Sequence, residues 1–149
     1  MSIKILGSGN ENRKPGKTVK TGVSIISGQP VMLDPADTTG ETIMVGAGTT
    51  HIVGFALETN IAPLDPSQLY DDYNRGGLIS YVVGSGIELE IWNDGRGCPF
   101  DAAQTYVIEQ KLYSNASGLV TNQSNGDVIG VVTKVNTSAT DSLRFQLVI

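Results

Sequence analysis

Ile87-Glu88-Leu89-Glu90-Ile91 alternates apolar and acidic residues without a break, and Leu143-Arg144-Phe145-Gln146-Leu147-Val148-Ile149 carries the same period near the end of the chain. Successive side chains of an extended strand point to opposite faces. Ile87, Leu89 and Ile91 therefore share one face, with Glu88 and Glu90 on the other, and Leu143, Phe145, Leu147 and Ile149 line one side of a second strand. A period of two is the mark of a half-buried strand. Working outward, short apolar runs rich in Val and Ile occupy residues 23–26, 31–33, 42–45, 51–57, 78–83, 106–113, 119–121 and 127–135. Turn chemistry separates them: Gln29-Pro30, Asp34 with Pro35 and Gly40, Gly46-Ala47-Gly48, Gly84-Ser85-Gly86, and Asn93-Asp94-Gly95. Gly54, inside its strand, implies a bulge or a close backbone approach.

Composition agrees. Of 149 residues, 18 are Gly and 40 are Val, Ile or Thr, which favours strands and tight turns. One helix signal stands out: Asp65 can cap, Pro66 suits the first helical position and Gln68 the third, so a short helix is expected over residues 66–73, stopped by Gly76-Gly77. The fold expected is all-β: a small barrel with one short helix, favoured over a two-sheet sandwich. Residues 52–60 also echo residues 128–136, each with an apolar pair, Gly, an apolar pair and a closing Asn. Residues 23–149 are accordingly read as one barrel-like domain that can be divided into two related β units.

Charge divides the chain differently. Residues 1–22 hold Lys4, Arg13, Lys14, Lys17 and Lys20 against Glu11, a net of +4, whereas residues 23–149 carry −9. Residues 7–22 are nearly free of apolar side chains, so burial cannot offset the entropy of ordering them. Residues 1–22 are read as an extended basic arm, and deleting residues 1–20 should leave a folded body.

Several function classes are excluded or weak. A net charge of −5 is a poor match to nucleic acid. No apolar run approaches the roughly 20 residues of a membrane helix, and the first residues lack a secretory-signal pattern. One Cys and one His leave no Cys cage and no multi-His metal site. Glu11 to Thr18 ends in Gly-Lys-Thr but has Glu where a phosphate loop needs its first Gly, and Pro15 removes an N–H. His51 lacks a serine in a nucleophile elbow, and Cys98 sits in a turn between Gly97 and Pro99. Glu88 with Glu90, or Asp71 with Asp72, could serve a glycosidase only across a cleft. Asp34, Asp37 and Glu41 do not follow a calcium-loop order. No enzyme activity, cofactor or metal is expected.

The combined pattern consists of Gly-Gln-Pro-Val-Met-Leu from Gly28, Ile-Val-Gly-Phe-Ala-Leu-Glu from Ile52, Ile-Glu-Leu-Glu-Ile from Ile87, Val-Ile-Gly-Val-Val from Val128 and the terminal Leu-Arg-Phe-Gln-Leu-Val-Ile. It resembles the capsid decoration, or structural cement, proteins of tailed bacteriophages. The resemblance implies a β-barrel or β-tulip-like body, homotrimers in many members, the major capsid protein as partner, and a place on the outer capsid surface of the virion across capsomer junctions. No catalytic residue comes with it. Within the arm, Ile3, Ile5 and Leu6 would be alternating anchors along a sheet edge, and Lys4, Arg13, Lys14, Lys17 and Lys20 would meet acidic capsid loops. The alternative is a carbohydrate-binding or tail-associated β module using Tyr70, Tyr73, Tyr81, Trp92, Tyr106 and Tyr113.

Overall fold

The structure, a computed structural model, describes residues 3–6, 12–48, 51–61, 78–93, 95–135 and 142–149. Their strands are β1 (Ile3–Leu6), β2 (Asn12–Val19), β3 (Pro30–Leu33), β4 (Thr42–Val45), β5 (Gly54–Ala56), β6 (Leu78–Val83), β7 (Glu88–Trp92), β8 (Lys111–Ser114), β9 (Val120–Thr121), β10 (Gly130–Val135) and β11 (Ser142–Leu147). The first unit is a closed barrel in the order β2-β4-β3-β5-β6, and the second a six-stranded sheet in the order β1-β7-β11-β10-β8-β9. The all-β expectation holds. No helix occurs among the described residues, and the helix expected over residues 66–73 lies outside them.

The extended arm is a correction. β1 pairs antiparallel with β7, Ile3 opposite Ile91 and Leu6 opposite Glu88. β2 pairs antiparallel with β6 and parallel with β4, so it is a stave of the barrel. Low apolar content misled because a strand's ladder is made by the backbone, and its neighbours supply the core. Among the segment's described residues, Ile3 and Val19 are the buried members, at 3% and 7% exposure. The register shifts between Lys14 and Lys17, around Pro15. Lacking an N–H, proline is tolerated at such a bulge.

Two expected strands shrink. Residues 23–26 supply a single bridge, Ile25 to Asn60. Of residues 106–113, the stretch before Lys111 forms a turn. Its counterpart precedes β3, and the two share their hydrogen bonds. Ala56 N–H donates to Gln29 O at 2.9 Å, as Val132 N–H does to Gln110 O at 2.9 Å. Val53 N–H donates to Val31 O, as Ile129 N–H does to Leu112 O. The Gln29 side-chain carbonyl accepts from Ile26 N–H at 2.7 Å, and that of Gln110 from Val107 N–H at 3.1 Å. The parallel pairing of Val19 with Ile43 has its counterpart in the bridge of Phe100 with Val120.

Core positions follow the same correspondence. Val19, Ile25, Val31, Ile43, Ala56, Ile79 and Tyr81 pack inside the barrel. Phe100, Tyr106, Leu112, Val120, Val132, Leu143 and Phe145 occupy the matching places in the second core. Gly54 and Gly130 are also alike. A Cβ on Gly54 would stand 2.7 Å from the Tyr81 ring, and one on Gly130 would stand 2.7 Å from the Phe145 ring. Each glycine thus lets an aromatic side chain lie across its backbone. Phe55 and Val82 join the second unit's core cluster, and the rings of Phe55 and Phe145 tilt together at 5.3 Å.

At one matched position the residues differ. Gly28 N–H donates to Ala56 O and Glu109 N–H to Val132 O, both at 2.8 Å, but Gly28 has φ 93° and Glu109 has φ 68°. A left-handed conformation costs a residue with a Cβ about 1–2 kcal/mol. Glu109→Gly is expected to stabilise the protein by about 1 kcal/mol in urea denaturation, the entropic cost of glycine taking back part of the gain.

Candidate functional site

The basic residues of the first segment do not lie together. Lys17 and Lys20 are structural. Lys17 Nζ donates to Gly40 O at 2.7 Å and stands 3.9 Å from Glu41, while Lys20 Nζ lies 3.5 Å from Asp34. Together they fasten the β3–β4 loop to β2. Lys14 is half-buried beside His51, Tyr81 and Ile149. Ile3 belongs to the core, whereas Ile5 and Leu6 are half-buried.

Lys4 and Arg13, both exposed, are brought to one place. They line a cleft of about 500 Å³ with Ile3, Ile5, Leu57, Glu58 and Ser80. β1 contributes Ile3, Lys4 and Ile5, β2 contributes Arg13, β6 contributes Ser80, and Leu57 and Glu58 follow β5. The Glu58 carboxylate ties its segment to β6, accepting from Ser80 N–H at 2.8 Å and from Ser80 Oγ at 2.7 Å. The lining combines three apolar side chains with two cations and one carboxylate. Leu57 and Glu58 close the Ile-Val-Gly-Phe-Ala-Leu-Glu stretch, and with Ser80 they stand more than forty positions from Lys4 in the sequence, so the strand order assembles this site.

The other candidates resolve into structural roles. Arg144 binds both acids of the alternating strand, at 3.5 Å from Glu88 and 3.0 Å from Glu90. Asp34 accepts from Ala36 N–H at 3.0 Å and also faces Lys20. The Glu11–Thr18 near-match lies mostly in β2, whose extended backbone does not curl round a phosphate. His51 is exposed, and Cys98 is half-buried with its thiol pushed up in pKa by that burial. Among the described residues no group of His, Cys, Asp and Glu could hold a metal. Tyr81 and Tyr106 are buried, at 6% and 3% exposure, while Trp92 and Tyr113 are half-buried. Asp71, Asp72, Tyr70 and Tyr73 lie outside the described residues.

Asp37 shows how the loop beside β2 is held. Hydrogen bonds from the side chains of Thr39 and Thr42, both at 2.6 Å, lower its pKa from the ordinary 3.8 to about 2. Bonds to the charged form favour that form. The contribution to stability is therefore complete above the ordinary carboxylate pKa and is lost as the pH falls through about 2. Carboxyl NMR titration should place the Asp37 midpoint near 2, and Thr42→Val should move it back towards 3.8.

The chain matches no protein-family model, no curated protein and no solved structure.

Proposed function

We propose that this chain is a non-enzymatic decoration protein that binds the outer surface of a mature tailed-phage head and stabilises it, with the major capsid protein as partner and a homotrimer as the working form. The reading rests on the sequence resemblance. The observation that carries it onto the structure is the placement of Lys4 and Arg13 in one cleft with the apolar side chains of Ile3, Ile5 and Leu57. Residues 23–149, by contrast, carry −9. A basic edge on an acidic body gives the molecule a preferred face for an acidic shell.

The mechanism needs no chemistry. A genome packed under pressure strains the seams between capsomers. A ligand that binds only the expanded seam lowers the free energy of that geometry by its own binding free energy. Exposed ion pairs contribute about 0.2–1 kcal/mol each, so apolar contact must supply much of the affinity. A trimer engaging several seams raises avidity by about 10²–10⁴.

Co-sedimentation with expanded and unexpanded heads tests this reading. Saturable binding to expanded heads only is the expected result, weakened by 0.5 M salt because surface charges are then screened to about 3–5 Å. Absence of the protein from the expanded-head pellet at every concentration would refute it.

A further inference from the structure

We infer that a second cleft, lined by Lys14, His51 and Tyr81, binds a small aromatic carboxylate. It has a volume of about 490 Å³ and shares the apolar side chains of Ile52, Val53 and Ile149. Lys14 on β2 lies directly opposite Tyr81 on β6. Residues directly opposite in an antiparallel pair share one face of the sheet, and Tyr81 belongs to the barrel core. Lys14 is therefore carried on the core-packing face of the barrel wall, where it is half-buried. Among the described residues no acid pairs with Lys14 or His51, the Tyr81 hydroxyl makes no hydrogen bond, and no lining side chain is acidic.

The second unit shows what the same position takes when packing alone decides. Gly54 and Gly130 correspond, and each lies against an aromatic ring, Tyr81 in the first unit and Phe145 in the second. Lys14 is opposite Tyr81, whereas Leu89 is opposite Phe145. Leu89 and Phe145 are both fully buried. The first unit thus has an amine and a phenol in place of an apolar pair, and it supplies a partner for neither. A polar group drawn away from water costs free energy unless it is bonded, and such breaches of core chemistry collect at functional sites. Burial pushes the Tyr81 phenol up in pKa, which keeps it a donor. Ammonium, phenol and imidazole N–H all donate, so the polar end of the ligand is an anionic acceptor. One lysine balances the single charge of a carboxylate better than the two of a phosphate. The matched ring, Phe145, is met by the Phe55 ring at 5.3 Å. An aromatic body beside Tyr81 would repeat that contact.

The probe is phenylpropionate, titrated to several millimolar into isotope-labelled full-length protein. Phenylpropanol keeps the ring without the charge, and propionate keeps the charge without the ring. Saturable shifts centred on the amides of residues 14, 51–53 and 81–83 are expected with the aromatic acid alone. Lys14→Met, which restores an apolar side chain like that of Leu89, should weaken binding about tenfold, the loss of a hydrogen bond to a charged group. Tyr81→Phe, which installs the second unit's own residue, should weaken it about threefold through loss of a neutral hydrogen bond. Neither substitution should lower the thermal midpoint. No saturable shift, a response centred elsewhere, an alcohol bound as tightly as the acid, or affinity unmoved by Lys14→Met would overturn the assignment. The alcohol comparison uses the unsubstituted chain, so it decides the matter even where a variant fails to fold. The site stands apart from the shell-binding reading: a protein that binds heads but ignores the aromatic acid would keep that reading and lose this one.

Discussion

A chain lacking residues 1–20 is expected to lose its cooperative unfolding transition at 25 °C. The deletion takes away β1 and β2 together. β2 closes the barrel by pairing with β6 on one side and β4 on the other. Its loss leaves two unpaired sheet edges and opens the core that contains Ile43, Ile79 and Tyr81. Val19 and Ile3 disappear from the two cores, each worth about 1.5–3 kcal/mol of burial. Such a sum, with a broken backbone ladder, is comparable to the total stability of a domain, about 5–15 kcal/mol. Circular dichroism with thermal melting checks the result. A sharp transition in the truncated chain would mean that the segment is an appendage and that the barrel closes without it. Head binding must therefore be probed with point substitutions in a complete chain.

Phe145→Ala should cost about 3–5 kcal/mol, the range for removing a large buried aromatic side chain. Phe145 is fully buried, meets the Phe55 ring at 5.3 Å, and lies over the backbone of Gly130. It fills the second unit's core and touches the first unit as well, so the cavity has walls in both and cannot collapse easily. Phe145→Leu should cost clearly less. A double-mutant cycle with Phe55→Ala should show coupling of about 0.5–1.5 kcal/mol for the ring pair. Urea denaturation measures all three. A cost below 1 kcal/mol for Phe145→Ala, or zero coupling, would mean that the two units do not share a core through these rings.

The strands with a clean period of two were readable because each has one buried and one solvated face. β7 and β11 follow the expected alternation, with Leu89, Ile91, Leu143, Phe145 and Leu147 inside and Arg144 outside between Glu88 and Glu90. The expected close approach at Gly54 was readable for a similar local reason, since glycine inside a strand implies a neighbour where a Cβ would sit. β2 was not readable, because Asn12–Val19 is polar along almost its whole length and its place is fixed by partners from β4 and β6. The 106–110 turn was hidden by its apolar residues. Val107 and Ile108 look like strand yet are more than half exposed, held in a turn by Gln110 and the left-handed Glu109. Of the cleft, Lys4, Ile3, Ile5 and Arg13 were named from sequence. Leu57, Glu58 and Ser80 were not, since long-range strand order leaves no trace in local spacing.

The temperature at which expanded heads release their genome, followed by a dye that reports free DNA as this protein is added, probes the stabilising role most directly. If its binding free energy holds the capsomers together, the release temperature rises with occupancy and levels off when the sites are full. Full occupancy with no change in the release temperature would contradict the account.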